Sequence, residues 1–342
     1  MPQQNLPFDK LTGNLAHLAP SQGLGVSLHA EFLHNPPEAG FYCHCPSLLR
    51  ITRGDLLAIW YAYPEEEVRD ASLIVARLPR GESQWESGRR LFPYSTLSSG
   101  NPLLFEHPPG TIRLLFVQLQ GRYWTDAELY HTLSTDGGAT WARALPVPAE
   151  RGSMVRHAPL LLRDGSLLLP TYHEGSRQSA LWKSIAPFEE WREVYRFRAP
   201  NLIQPALVRQ EPDQLIAFFR PFSDLRRIWR SHSFDEGGTW SPPLPTPLPS
   251  PLSGIAAFAL GRRIAVVYNH TEEHQRYPLS LAFSSDRGVS WNEPWHLESA
   301  PIEISYPSFL ADEEGVVHGL YTYNRRMIKY VCYRPDQEVE PA

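Results

Sequence analysis

The chain has 342 residues and a formal net charge of −5 at neutral pH, with acidic and basic residues spread along it. The lack of a basic stripe argues against nucleic acid as a partner, and no apolar run is long enough to span a membrane. The first residues lack a signal-peptide pattern and the three cysteines cannot all pair in disulfides, so we expect a cytoplasmic protein.

Short strands in repeated hairpins are predicted along most of the chain. The 33 prolines and 22 glycines interrupt the windows in which helices would form. Apolar runs instead follow a turn at six places, and each is preceded by another short apolar run. These runs occupy residues 53–60, 110–116, 164–169, 213–219, 261–267 and 314–320, about 50 residues apart. That interval is typical of one four-stranded blade, so the sequence predicts an all-β, six-bladed propeller of antiparallel blades.

A propeller grows by adding blades around one axis, so we expect residues 1–342 to form a single domain. Residues 1–40 lack the repeat, and we expect this segment to supply the strand that closes the ring against the last blade. Residues 335–342 have the composition of a polar tail.

An eight-residue pattern, Ser-x-Asp-x-Gly-x-Thr/Ser-Trp, occurs three times, at residues 134–141, 233–240 and 284–291. The Asp can bond backbone N–H groups further along the turn, the Gly accepts a positive φ, and the Trp anchors the turn against apolar neighbours. Trp85 and Trp191 stand at matching places in degenerate copies. We interpret these repeated turns as structural.

Polar residues recur just before the innermost strand of each predicted blade. A propeller brings these strand starts together around its axis, so we expect a substrate-binding site there. The candidates are His44, Asn101, His157, Gln204 and Tyr306. His44 and His157 stand two residues before a Pro and the others stand one before, so in regular strands they would face opposite sides.

The repeated turn at blade spacing resembles the Asp-box, or BNR repeat, of the sialidase (neuraminidase) superfamily, and the chain is most similar to bacterial predicted neuraminidases. Members hold the substrate carboxylate with three arginines, use a Tyr nucleophile activated by a Glu, and protonate the leaving group with an Asp. The resemblance implies that Tyr306 is the nucleophile and that Arg220 and Arg276 are the second and third arginines. It also implies that Asp70, in the loop after the first hairpin, is the acid/base.

Two positions depart from the family pattern. His44 stands where the first arginine is expected, and Gln204 stands where the activating Glu is expected. A glutamine side chain cannot accept a proton, so the nucleophile lacks its usual base. The function expected from these residues is an exo-glycosidase that acts on an acidic sugar, sialic-acid-like or a uronate, presented as a small molecule or an oligosaccharide.

Two alternatives stay open. A lyase on uronic acids would use His44, which ordinarily titrates near neutrality, together with Tyr306 as proton carriers. A non-catalytic propeller that binds a sugar or a protein would explain why Gln204 replaces a catalytic Glu. No cofactor and no metal are predicted, because Cys43, His44 and Cys45 alternate between the two faces of one strand.

Overall fold

The computed structural model describes residues 26–65, 70–92 and 97–335. Within this part the regular secondary structure is all strand apart from two short 3-10 turns, at Pro37–Ala39 and Trp124–Asp126. The strands form six antiparallel sheets, five with four strands and one with a short fifth strand. The predicted six-bladed propeller is therefore confirmed. No helix in the described ranges has the length and apolar character that crossing a membrane requires.

The first three blades follow one another along the chain, each with its innermost strand first. Blade 1 contains β2 (Tyr42–Arg50), β3 (Leu56–Tyr63), β4 (Ser72–Leu78) and β5 (Arg89–Arg90). Blade 2 contains β6 (Ser99–Glu106), β7 (Ile112–Leu119), β8 (Ala127–Ser134) and β9 (Leu145–Pro146). Blade 3 contains β10 (Ser153–Val155), β11 (Leu160–Leu161), β12 (Leu167–His173), β13 (Gln178–Ser184) and β14 (Arg192–Arg196).

The remaining blades repeat this order, and the last one takes its outer strand from the start of the chain. Blade 4 contains β15 (Leu202–Glu211), β16 (Gln214–Pro221), β17 (Arg227–Ser233) and β18 (Leu244–Pro249). Blade 5 contains β19 (Ala256–Leu260), β20 (Arg263–Asn269), β21 (Leu279–Ser284) and β22 (Trp295–Glu298). Blade 6 contains β23 (Ile304–Ala311), β24 (Val317–Tyr323), β25 (Met327–Arg334) and β1 (Val26–Leu33).

Antiparallel pairing of β1 with β25 closes the ring, with Ala30 opposite Val331. The described part of the expected closing segment, residues 26–40, thus contributes the outermost strand of blade 6. Residues 1–25 of that segment and residues 336–342 of the expected tail lie outside the described residues.

Apolar side chains between neighbouring blades form the core. All eight residues of β3 are buried, because both faces of blade 1 are covered by other blades. On one side Trp60 packs in a cluster with Leu320 of blade 6, and on the other Ile59 packs in a cluster with Phe116 of blade 2. This two-sided burial explains why the inner strands read as continuous apolar runs.

The three repeated turns share one hydrogen-bond pattern. In the first, the Ser134 hydroxyl donates to Asp136 over 2.7 Å, and the Asp136 carboxylate accepts from the backbone N–H of Thr140 over 3.0 Å. The Trp141 indole N–H donates to the carbonyl oxygen of Gly138 over 3.1 Å. Each turn joins the third strand of its blade to the fourth, at the opposite strand ends from the axial candidates.

A bulge interrupts the innermost strand in four blades. The bulged residue has a positive φ and is followed by a proline, and the pairing with the second strand shifts register there. Proline cannot donate to a ladder, and a bulge re-aims the side chain that it carries. The bulged residues are Cys45 (φ 56), Asn101 (φ 43), Gln204 (φ 52) and Tyr306 (φ 54). Cys45, rather than His44, therefore holds the equivalent position in blade 1.

Candidate active site

Tyr306, the bulged residue of β23, lies at the centre of a group of cationic side chains. Its hydroxyl accepts a hydrogen bond from Nη1 of Arg220 over 2.9 Å. The guanidinium carbons of Arg156, Arg220 and Arg276 lie 5.6, 5.9 and 5.6 Å from the centroid of its ring. Burial by itself raises the pKa of Tyr306, but the charges of Arg220 and Arg276 outweigh it and hold that pKa below its ordinary value. The arginines thus stabilise the phenolate form.

Arg220, near the end of β16, is a buried cation, with 7% of its surface exposed. Its Nη1 also donates to Oε1 of Gln204 over 3.3 Å, whereas its Nε has no hydrogen-bond partner. In residues 26–65, 70–92 and 97–335, no carboxylate forms a direct ion pair with it, although its charge acts on Glu174. A buried guanidinium without a directly bound counterion favours binding of an anion.

Glu303 bridges two further arginines beside Tyr306. Its carboxylate accepts from Nη1 of Arg276 over 2.7 Å and from Nε of Arg325 over 2.9 Å. Burial raises the pKa of Glu303, but the charges of the two arginines lower it further than burial raises it, so the carboxylate is ionised. The side chains of Arg276 and Arg325 are 23% and 35% exposed, so solvent reaches the cluster from this side. Two cations share one anion here, which leaves a net positive charge.

His44 packs against the same tyrosine. The centroids of the His44 and Tyr306 rings are 4.4 Å apart, His44 is 4% exposed, and its Nδ1 has no hydrogen-bond partner. Burial, followed by the charges of Arg325 and Arg276, holds the pKa of His44 well below its ordinary value. The ring is therefore neutral at neutral pH, which differs from the expectation of titration near neutrality. A neutral imidazole can accept a proton but is not a protonated acid.

Asn101 and Gln204 both contact Tyr172 of blade 3. The Tyr172 hydroxyl lies 3.3 Å from Nδ2 of Asn101 and 3.4 Å from Nε2 of Gln204, which both donate to it. Gly254 packs closely against this group, because a Cβ there would lie 3.4 Å from Oε1 of Gln204 and 3.3 Å from the Tyr306 ring. The structure thus brings His44, Asn101, Gln204, Arg220, Arg276 and Tyr306 together, and we call this group the axial cluster.

Two other sequence candidates occupy different surroundings. Asp70 is exposed in the loop between β3 and β4, on the strand ends that carry the axial cluster, and within the described ranges no hydrogen bond joins it to Tyr306 or Arg220. His157 places its ring nitrogens 3.1 Å from the carbonyl oxygen of Pro205 and 2.8 Å from that of Ile255. The ring of His157 is therefore hydrogen-bonded to the backbone of neighbouring blades.

Sequence reasoning missed four residues of this region. Arg325 lies in the connection between β24 and β25, as Arg276 lies in the connection between β20 and β21, and that shared position was the available signal. Arg156 adjoins a candidate histidine, and Tyr172 ends an inner apolar strand. Glu174 directly follows β12. Burial raises the pKa of Glu174, and the charge of Arg220 acts in the opposite direction.

A cavity of about 180 Å³ is lined by residues of β10, β12, β13 and β14 in blade 3 and of the adjoining loops. Trp182 and Trp191 line it, and of the residues described above it shares Tyr172 with the axial region. Arg196 and Glu193, two charged residues that line this cavity, form an ion pair with each other. Arg220, which forms no ion pair with a carboxylate of the described residues, lies in the axial cluster instead.

The six-bladed ring and the arginine-bound tyrosine define a sialidase-like propeller. Residues 54–318 match the model of the BNR repeat-like domain family, and this match covers well over half of the chain. The chain belongs to that family, so the resemblance inferred from the repeated turns is confirmed. A search of curated proteins finds no significant match.

Several solved structures share the fold. The Hadza microbial sialidase Hz136 superposes with a TM-score of 0.76 at 18% identity, over 91% of this chain and 68% of that one. The intramolecular trans-sialidase from Ruminococcus gnavus gives 0.73 at 13% identity, over 92% and 99%. A protein of unknown function from Dyadobacter fermentans gives 0.74 at 15% identity, over 90% and 99%. At these identities the likeness establishes the architecture.

Proposed function

We propose that this protein is a carbohydrate-active enzyme, an exo-glycosidase that cleaves an acidic sugar bound at the axial cluster. The observation that carries the proposal is Arg220, a buried cation that forms no ion pair with a carboxylate among the described residues and donates to the hydroxyl of Tyr306. A substrate carboxylate supplies the missing counterion. Sialidases and a trans-sialidase among the solved structures with this fold support the same substrate class.

The arginines take over the task that a glutamate would perform at position 204. Because their charges lower the pKa of Tyr306, the phenolate forms without a carboxylate base beside it. The phenolate oxygen bonds to the anomeric carbon while the glycosidic carbon–oxygen bond breaks, and the departing oxygen takes a proton from Asp70. Water then displaces Tyr306 from the sugar and returns a proton to Asp70. Arg220 and Arg276 hold the carboxylate of the sugar throughout.

A panel of aryl glycosides of sialic acids and uronic acids tests this proposal. We expect release of free sugar from at least one of them, and we expect Tyr306→Phe to lower kcat on the order of 1,000-fold because it removes the attacking oxygen. Tyr130→Phe is the matched control, since Tyr130 lies in β8 and packs against Phe116. Equal rates for the wild type and Tyr306→Phe would exclude Tyr306 as the nucleophile.

A lyase is the second candidate, and the contact between the His44 ring and Tyr306 favours it. In this reaction His44 removes the proton from the carbon next to a uronate carboxylate. The electron pair forms a carbon–carbon double bond as the glycosidic oxygen departs with a proton from Tyr306. The unsaturated uronate absorbs in the ultraviolet, whereas the free sugar that hydrolysis releases does not, so oligosaccharides without an aryl group distinguish the two reactions. Binding measured by calorimetry without either product would assign the chain to sugar binding alone.

A further inference from the structure

Blade 3 differs from the other blades where its innermost strand should continue. β10 ends at Val155, and pairing with β12 resumes only at Leu160 in β11. The intervening segment leaves the sheet and carries Arg156 and His157. Arg156 is 3% exposed, so its guanidinium must find partners within the protein.

These two side chains reach four other blades. Nη1 of Arg156 donates to the carbonyl oxygen of Pro46 in blade 1 over 3.0 Å. Its Nη2 donates to two carbonyl oxygens of blade 6, those of Tyr306 over 3.0 Å and Pro307 over 2.8 Å. His157 adjoins blades 4 and 5 through the carbonyl groups of Pro205 and Ile255. Burial and the charge of Arg156 lower the pKa of His157 to about 3, so its neutral ring donates to one of these two at a time.

Most of the carbonyl groups that accept these hydrogen bonds lie at the bulges of the innermost strands. Pro46, Pro205 and Pro307 each follow a bulged residue, at the point where the ladder to the second strand is broken. A carbonyl group that loses its ladder partner in the interior needs another donor. Arg156 and His157 supply donors to the bulges of three blades, and two of these bulges carry Gln204 and Tyr306.

We propose that Arg156 is a positioning residue that fixes Tyr306 for the reaction, a role that rests on the proposed function. Tyr306 has a φ of 54°, and a residue in this region keeps its conformation only when its surroundings enforce it. Arg156 binds two consecutive backbone carbonyl groups, those of Tyr306 and Pro307, and links them to blade 1 through Pro46. These hydrogen bonds fix the backbone at Tyr306 and thereby the direction of its side chain. The side-chain direction in turn allows the 2.9 Å hydrogen bond from Arg220 to the Tyr306 hydroxyl.

The test compares two buried arginines with similar contacts. Arg156→Lys keeps the charge, but one ammonium cannot bridge carbonyl groups of two blades as a planar guanidinium does. Arg113→Lys is the matched control, because Arg113 is also buried and donates to the backbone carbonyls of His107, Phe188 and Pro187. It lies near the start of β7, at the strand ends opposite the axial cluster.

We expect Arg156→Lys to lower kcat on the order of 10- to 100-fold with KM within about threefold, since misplacement of a reacting group by about 1 Å has such an effect. We expect Arg113→Lys to leave both constants near their wild-type values. If the two variants lose stability equally and neither changes kcat, Arg156 is structural and the proposal is overturned. Should Arg156→Lys fail to fold, Arg156→Gln is measured in the same way.

A second readout does not need a substrate. Ultraviolet difference titration against the corresponding Tyr306→Phe proteins isolates the phenol of Tyr306. We expect its pKa to rise in Arg156→Lys, because a displaced ring loses its bond from Arg220, and to stay unchanged in Arg113→Lys. An unchanged pKa in a folded Arg156→Lys protein overturns the positioning role. Inactivity of the wild type on every acidic sugar defeats the proposed function alone and leaves this titration valid.

Discussion

Among single residues, the proposed reaction depends on the charges of Arg220 and Arg276, rather than on a glutamate at position 204, to activate Tyr306. Gln204 accepts a hydrogen bond from Arg220 through its Oε1 and donates to Tyr172, so it orders the site without exchanging protons. Arg220 and Arg276 offset the burial of the phenol and lower the pKa of Tyr306. Removal of either arginine should therefore change the pH dependence of the reaction.

We expect kcat/KM of the wild type to rise with pH through a pKa below 10, the ordinary value for tyrosine, as the phenolate forms. In Arg220→Gln, one cation fewer opposes the effect of burial on the pKa of Tyr306. The rise of kcat/KM with pH should therefore occur at higher pH, in addition to any loss of substrate affinity. The pH–rate profiles of the two proteins provide the measurement. A rise at the same pH in both proteins would contradict electrostatic activation by Arg220.

At the scale of elements, the repeated turns and the axial cluster occupy opposite strand ends. In the second repeated turn, Asp235 accepts from the hydroxyl of Ser233 over 2.8 Å and from the backbone N–H of Thr239 over 2.8 Å. These bonds organise the connection from β17 to β18 and do not extend to Arg220 or Tyr306. Stability and activity should therefore separate in variants of the turn.

We expect Asp235→Ala to lower the free energy of unfolding by about 1 kcal/mol, a modest value because the side chain is exposed, and to leave kcat unchanged. The bonds from Thr239 lower the pKa of Asp235, so its contribution is present above its ordinary pKa of about 4 and is lost as pH falls. Urea unfolding at pH 7 and pH 3 measures both effects. A change in kcat of tenfold or more would contradict the separation.

At the scale of the whole molecule, the ring is closed by two segments that are distant in sequence. The outermost strand of blade 6, β1, pairs with β25, and Leu33 at its end packs in the cluster that contains Trp60 and Ile328. Closure leaves β25 paired on both sides, whereas an open β25 would be a bare edge that invites association.

We expect removal of residues 1–33 to lower the melting temperature by roughly 10 °C, since the ladder to β25 and the burial of Leu33 are both lost. We also expect self-association through the exposed edge of β25. Thermal unfolding and size-exclusion chromatography measure the two effects. Removal of residues 1–25 alone is the control, and equal behaviour of the two truncated chains would show that β1 does not stabilise the ring.

The number and kind of the blades could be predicted from the sequence, because apolar periodicity and turn chemistry are local properties that repeat in every unit. Tyr306 was also indicated by its recurring place at the start of an innermost strand, and Arg220 by the resemblance to sialidases. The folded ring was needed to see that Arg325 joins Arg276 on Glu303 and that Arg156 reaches Tyr306 across the axis. These contacts join side chains from different blades, and their geometry depends on bulges and irregular segments that no local period encodes.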